Sequence, residues 1–136
     1  MESINRTFVE RDRVLNRLGM VVEEVRPGYA RISMPITDDH LNGFDSAHGG
    51  MIFALGDQCF GFACNSHDIP AVAEQCNITY AAPAKVGDVL TAEAKETLRR
   101  RRSAVYDVTV RNQAGTTVAI LRCHARTVGQ QPFPEA

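Results

Sequence analysis

The chain lacks any run of about eighteen apolar residues, which excludes a transmembrane helix. It lacks an excess of charge of either sign. Fifteen basic and sixteen acidic side chains leave a formal net charge of −1, so bulk charge gives no support to a nucleic-acid binder. A local basic patch and a phosphorylated ligand remain compatible with that balance. The first residues, MESINRTFVERDRVLNRLG, are studded with charge and hold no apolar core of the kind a secretory signal needs. The four cysteines, Cys59, Cys64, Cys76 and Cys123, form no CxxC pair, and with the four histidines they give no finger-like spacing. Reduced, buried thiols in a cytoplasmic protein are the expectation, with no metal site. Internal repeats, low-complexity tracts and interior linkers are also missing.

What is present describes one compact domain. At 136 residues, 44% hydrophobic and 23% charged, the chain is ordinary globular material that can bury a core of its own. The expected domain spans residues 1–128. Residues 129–136, with two prolines and two glutamines, are expected to form a loose tail. The spacing of Ile4, Phe8, Leu15 and Leu18 predicts one helix over 4–18, stopped at Gly19. Val21 to Arg26 and Tyr29 to Ile36 flank Pro27-Gly28 and predict a hairpin. Thr37 to Ala47 is polar, carries Asn42-Gly43 and reads as a loop. The most apolar stretch follows Gly49-Gly50 and runs to Cys64. Its apolar positions go nearly all round a helix, which predicts burial. The remainder reads as four strands, over 71–80, 89–98, 103–111 and a last strand through Ala119, Leu121, Cys123 and Ala125. Arg99 to Arg102 and Asn112 to Gly115 fall at the turns. Helices and strands do not alternate, so the order predicts an α+β fold, a curved antiparallel sheet wrapped around one enclosed helix.

Asp57 is the anomaly of that helix. It sits where a carboxylate is hardest to hydrate, too far from the helix start to act as a cap. Buried carboxylates of this kind concentrate at active sites. His48-Gly49-Gly50 is the second feature. At a helix start the first N–H groups have no intrahelical partner, the helix dipole adds positive potential, and glycine permits close approach. Together these describe an oxyanion hole. Gly49 and Asp57 are eight residues apart, about 12 Å along a helix axis, so one helix hardly brings both to one carbon. Two such helices packed antiparallel across a two-fold axis do, which predicts a dimer with two composite sites. Asn42 is either turn chemistry or a polar group at the mouth of the site. His48 is a candidate base, but holding the glycine amide in place is the preferred role, since Asp57 already supplies an acid–base group. Arg99 to Arg102 form the one basic cluster. It suits a phosphorylated small ligand if it is not simply a solvated hairpin.

The run HLNGFDSAHGGMIFALGDQCFGFACNS, residues 40–66, closely resembles the hotdog-fold acyl-CoA thioesterases of the phenylacetic-acid-degradation type. NITYAAPAKVGDVLTAEA (77–94) and AVYDVTVRNQAGTTVA (104–119) look like strands of the same family. The resemblance implies a hotdog fold, continuous-sheet homodimers and often dimers of dimers. It implies that Asp57 matches the catalytic carboxylate, contributed by the partner subunit. It implies that the Gly49 amide polarises the thioester carbonyl and that His48 and Asn42 flank the site. No metal or resident cofactor is implied; CoA is part of the substrate, with Gly50, Arg100, Arg101 and Arg102 as candidate contacts. The departure is at the β-turn before Ser103, where relatives often carry glycine among basic residues and this chain has Arg100.

The expected activity is hydrolysis of acyl-CoA to free acid and CoA, on aryl-acetyl or other aryl thioesters by preference and on medium-chain acyl groups as an option. Asp57 either activates water or attacks directly to form a mixed anhydride. The alternative is an acyl-CoA-binding dimer without turnover. A dehydratase ranks lower, because that chemistry usually pairs a histidine with an acid across the interface. Phe44, Phe53, Phe60 and Phe62 are candidate pocket walls, each equally a candidate for the core.

Overall fold

A computed structural model describes residues 3–135. The first two residues of the predicted domain and Ala136 of the predicted tail lie outside them. The N-terminal helix is two helices, α1 (Ser3–Arg11) and α2 (Arg13–Arg17). The break is Asp12, whose extended backbone and side chain cap α2 by accepting the Leu15 N–H at 2.9 Å. Aspartate competes with helix continuation in this way, and the apolar spacing alone does not reveal it. Gly19, with φ of 76°, ends the segment, and Leu15 is buried beneath it.

Strands β1 (Val21–Arg26) and β2 (Tyr29–Pro35) form the first hairpin, around Gly28 at φ 76°. The loop that follows contains one 3₁₀ turn, Asp38–His40, and leads into α3 (Gly49–Cys64). Strands β3 (Ala71–Tyr80), β4 (Val89–Arg100), β5 (Ser103–Arg111) and β6 (Thr117–Thr127) complete the chain. The sheet is antiparallel in the order β1-β2-β4-β5-β6-β3. The connection through α3 therefore carries the chain from β2 to the far edge, and β4 returns to pair with β2.

The concave face of the sheet is built from alternate residues, and many of them are small. Ala30, Ile32 and Met34 of β2 meet Leu90, Ala92 and Ala94 of β4, then Tyr106, Val108 and Val110 of β5, then Ala119, Leu121, Cys123 and Ala125 of β6; all are buried. Small side chains let α3 lie close. At Gly56 a β-carbon would meet the Leu121 methyls at 2.8 Å, so any larger residue would push that side chain aside. Phe60 and Phe62 belong to this core, with Phe60 against Tyr106 and Phe62 against Phe8. Helix α3 is not buried all round. Gly50 is exposed, and Phe53, Ala54, Asp57 and Gly61 along the same face are only partly covered. Among the described residues that stripe is left partly uncovered, and β3 is an edge strand whose residues are mostly exposed.

Candidate active site

The loop before α3 is tied down by histidine and backbone. His40 is buried; its Nδ1 accepts the Thr37 N–H at 3.0 Å and its Nε2–H donates to the Leu18 carbonyl at 2.9 Å. Its own carbonyl accepts the His48 N–H at 2.7 Å, and the Ala47 N–H donates to the Ala84 carbonyl at 2.8 Å. The start of α3 is thus riveted on both sides. His40 has no role in the sequence reading, because a buried structural histidine leaves no periodic or spacing signal.

His48 is the N-cap of α3, and its Nδ1 accepts the Gly50 N–H at 2.8 Å. The imidazole therefore holds an amide of the glycine pair, and the amide is that of Gly50. Gly50 retains no free N–H for a CoA contact. The Gly49 N–H has no acceptor among the described residues. It is the donor left at the positive end of the helix. Tyr80, at the end of β3, donates its hydroxyl to the Gly49 carbonyl at 2.8 Å. A β-carbon at position 49 would lie 3.1 Å from that ring and hydroxyl. A side chain at 49 would thus press on the Tyr80 ring and displace it by a few tenths of an ångström, a reason for glycine independent of any ligand. The neighbouring NITY motif is visible in the sequence, but its contact with Gly49 joins residues 31 positions apart.

Asn42 shapes the loop before α3. Its Oδ1 accepts the N–H groups of Phe44 (2.8 Å) and Ser46 (3.2 Å), which is turn chemistry. It also lines a cleft of about 370 Å³ with Ser46, Gly49, Ile52, Tyr80 and the Ala81-Ala82-Pro83 segment. Of the candidate wall residues, Phe44 is 92% exposed at the loop tip and Phe53 is half-buried on the uncovered stripe of α3.

Asp57 lies two turns along α3, half-buried, and its carboxylate has no hydrogen-bond partner among the described residues. Burial pushes its pKa above the ordinary carboxylate range, and the Asp12 carboxylate adds to the rise. Asp12 is held in place by Gln58, whose amide donates to Asp12 Oδ2 at 2.7 Å. A carboxylate that is harder to ionise is a stronger base once ionised, which suits proton abstraction near neutrality. The surrounding thiols are poor nucleophiles by comparison. Burial pushes Cys59 and Cys64 up to about 12, and Cys76 and Cys123 are raised as well, again mainly by burial.

The arginines lie elsewhere. Arg100, Arg101, Arg102 and Arg126 line a cleft of about 670 Å³ around the β4–β5 turn, beyond the C-terminal end of α3. Arg126 reaches the cluster because β6 pairs it with Ser103, which strand register alone decides. The His67 side chain, 6% exposed, lies beneath this turn. The tail is not loose. Phe133 is 4% exposed, packs its ring against His67 with centroids 5.8 Å apart and donates its N–H to the Arg101 carbonyl at 2.7 Å. An aromatic residue between two prolines gives no periodic signal, so its burial is invisible in the sequence. A single chain therefore brings Asn42, His48 and Gly49 together and leaves Asp57 and the arginines apart from them.

Residues 44–119 match the model of the thioesterase superfamily. The acyl-coenzyme A thioesterase PaaI of Escherichia coli (strain K12) is 38% identical over 120 residues, covering 88% of this chain and 86% of that protein. The solved E. coli PaaI protein from the phenylacetic acid degradation operon superposes with a TM-score of 0.90 at 35% identity, over 93% of this chain and 92% of the other. A hypothetical thioesterase of Streptococcus pneumoniae TIGR4, solved with coenzyme A, superposes with a TM-score of 0.84 at 27% identity, over 91% and 98%. With a six-stranded sheet folded on α3 and a glycine amide open at the helix start, the chain belongs to the thioesterase superfamily, as a hotdog-fold acyl-CoA thioesterase of the phenylacetic-acid-degradation type.

Proposed function

We propose that this protein hydrolyses acyl-CoA thioesters in a composite site, with the Gly49 N–H of one subunit as oxyanion donor and Asp57 from the partner as the acid–base or nucleophilic group. The observation that carries this reading is a Gly49 N–H beside a cleft, on a helix that also bears the half-buried Asp57 carboxylate, neither of them with a hydrogen-bond partner among the described residues. The donor and the acid are about 12 Å apart along one axis, so neither serves the other within a chain. Antiparallel packing of two α3 helices along the uncovered Gly50–Gly61 stripe closes that gap. It also carries the helix C-terminal end, with its arginines, toward the partner's cleft. The exposed edge strand β3 offers the matching backbone groups for a continuous sheet. The proposed assembly is a homodimer, and a dimer of dimers is favoured by apolar Val72 and Ile120 exposed on the sheet.

In the proposed reaction the thioester carbonyl oxygen accepts the Gly49 N–H, which stabilises the tetrahedral anion. His48 and Tyr80 keep the Gly49–Gly50 peptide in position from its two ends. Asp57 takes a proton from water as it attacks, or attacks the carbonyl itself to form a mixed anhydride that water then opens. The thiolate of CoA leaves in either route. Asn42 stands at the cleft mouth as a polar positioning group, and Arg100, Arg101 and Arg102 face the phosphates of CoA. Aryl-acetyl and other aryl thioesters are the proposed preference, from the likeness to PaaI, with medium-chain acyl groups second. A cytoplasmic setting suits four free thiols.

The test is thiol release from phenylacetyl-, hydroxybenzoyl-, hexanoyl- and acetyl-CoA. Asp57→Asn is expected to lower turnover on the order of 10²–10⁴-fold while remaining dimeric. Unchanged turnover in that variant removes Asp57 from the mechanism, and no turnover by the unmodified protein turns the reading to acyl-CoA binding alone. Co-assembly of Asp57→Asn with Gly49→Val subunits, each inactive by itself, is expected to restore about a quarter of the activity, because half the dimers regain one intact site. Without restoration, the site is not shared. Heavy-oxygen label from water entering Asp57 in a single turnover selects the anhydride route.

A further inference from the structure

The β4–β5 turn is built against the preference of its residues. Arg101 has φ of 58°, the left-handed region that favours glycine, and no glycine is present between Arg99 and Ser103. Something outside the turn must hold it, and the described residues show what does. The Phe133 N–H donates to the Arg101 carbonyl at 2.7 Å, the Thr127 N–H donates to the Arg102 carbonyl at 2.9 Å, and Arg102 Nη1 donates to Gln130 Oε1 at 2.7 Å. Two of these three bonds come from residues beyond Gly129, where the chain reverses at φ 78°. Phe133 lies between Pro132 and Pro134, which restrict its backbone to extended forms and lower the cost of ordering it. Its ring is buried against His67. That imidazole is itself fixed: Arg99 Nη1 lies 2.8 Å from Nδ1 and 2.7 Å from Nε2, and Nε2 lies 2.8 Å from Glu96 Oε1. Pro132, Phe133, Pro134 and Glu135 also wall a second cleft, of about 330 Å³, directly beside Arg99, Arg100 and Arg101.

We propose that residues 130–134 are a strap that imposes the left-handed turn at Arg101, with Phe133 as the positioning residue, and that this strap sets the guanidinium groups of Arg100–Arg102 for the phosphorylated end of an acyl-CoA. The strap does the work that a glycine in the turn would otherwise do. The proposal rests on the reading of the arginine cleft as the CoA phosphate site, and its test separates the two.

The test compares hexanoyl-CoA with hexanoyl-N-acetylcysteamine, which keeps the thioester and lacks the phosphates. In the unmodified protein the CoA thioester should have the lower KM, by an amount that shrinks with added salt; equal KM values overturn the phosphate reading itself. Given that difference, Phe133→Ala should raise KM for hexanoyl-CoA about tenfold, the loss of one charge-assisted contact, with kcat within about twofold. Turnover of the short thioester should not change, which also reports that the variant is folded. Phe133→Leu, which refills the site, should recover most of the KM. Arg101→Gly should make Phe133→Ala nearly silent, because glycine takes the turn without the strap. An unchanged KM for hexanoyl-CoA in Phe133→Ala, an equal loss on both thioesters, or full additivity with Arg101→Gly overturns the strap.

Discussion

The two ends of α3 are built on opposite plans. At the N-terminal end, Gly49 and Gly50 leave the backbone bare beside an open cleft, with one amide capped by His48 and one free. At the C-terminal end the side chains of Asn65 and Ser66 are fully engaged. Asn65 is buried and donates to the carbonyls of Gly61 (2.9 Å) and Ala71 (3.1 Å) while its Oδ1 accepts the Ala71 N–H at 2.9 Å. Ser66 Oγ donates to the Ala63 carbonyl at 2.6 Å and accepts the Gly28 N–H at 2.8 Å. Tyr106 donates to Glu96, which also accepts from His67, and Phe133 covers the set. An unsatisfied amide is costly when buried and useful when it faces a substrate. The first end is arranged for chemistry and the second for stability. Changes at the two should separate accordingly.

The largest separation is expected from Gly49→Val. The added side chain meets Tyr80 at once and shifts the free amide, so kcat/KM should fall on the order of 10²–10³-fold with little change in melting temperature. A full loss of fold in that variant would break the comparison. Asn65→Ala should do the reverse. It leaves the buried Ala71 N–H and carbonyl without the Asn65 amide, whereas the Gly61 carbonyl keeps the Asn65 backbone N–H, and chemical denaturation should show a loss of about 2 kcal/mol, while the protein that remains folded keeps its kcat. Tyr80→Phe sharpens the contrast on a smaller scale. Deleting one hydroxyl keeps the ring and its contact, so kcat should drop several-fold, by about 1 kcal/mol of transition-state stabilisation, with KM and stability nearly unchanged.

The smallest effect concerns pH. The Asp57 pKa is raised in the folded protein, by burial first and by Asp12 second. A raised folded pKa means the favourable contribution is present below the unfolded value and lost as pH rises through the folded one. Asp57→Asn should therefore be the more stable protein at neutral pH, with the gain fading below the ordinary carboxylate range. The acid limb of kcat in the unmodified enzyme should lie above that range. Equal melting temperatures at both pH values would show that the helix hydrates Asp57 as well as water does.

Much of this was legible in the chain. Alternation in β2, β4, β5 and β6 marks the buried face residue by residue, because a strand's side chains must alternate and only one face meets the helix. Asp57 is conspicuous for a similar reason, a charge inside an apolar run. The break at Asp12 and the burial of His67 and Phe133 were not legible. Each depends on a partner distant in sequence, or on a side chain capping backbone where the hydrophobic period continues unbroken. The view of α3 as buried on every side was also too simple, since composition reports how apolar a helix is and not how much of it its own chain covers.

The sequence by itself determined the antiparallel α+β architecture, the single apolar helix, the glycine pair at its start and the acid within it. These follow from local rules: side-chain period, backbone freedom and the cost of burying charge. Only the tertiary structure decided which glycine amide is free, which side chain crowds position 49, and how a strained arginine turn is held by a tail some thirty residues further along the chain. Those outcomes rest on contacts between segments far apart in the chain, and such contacts exist only once the sheet has closed around its helix.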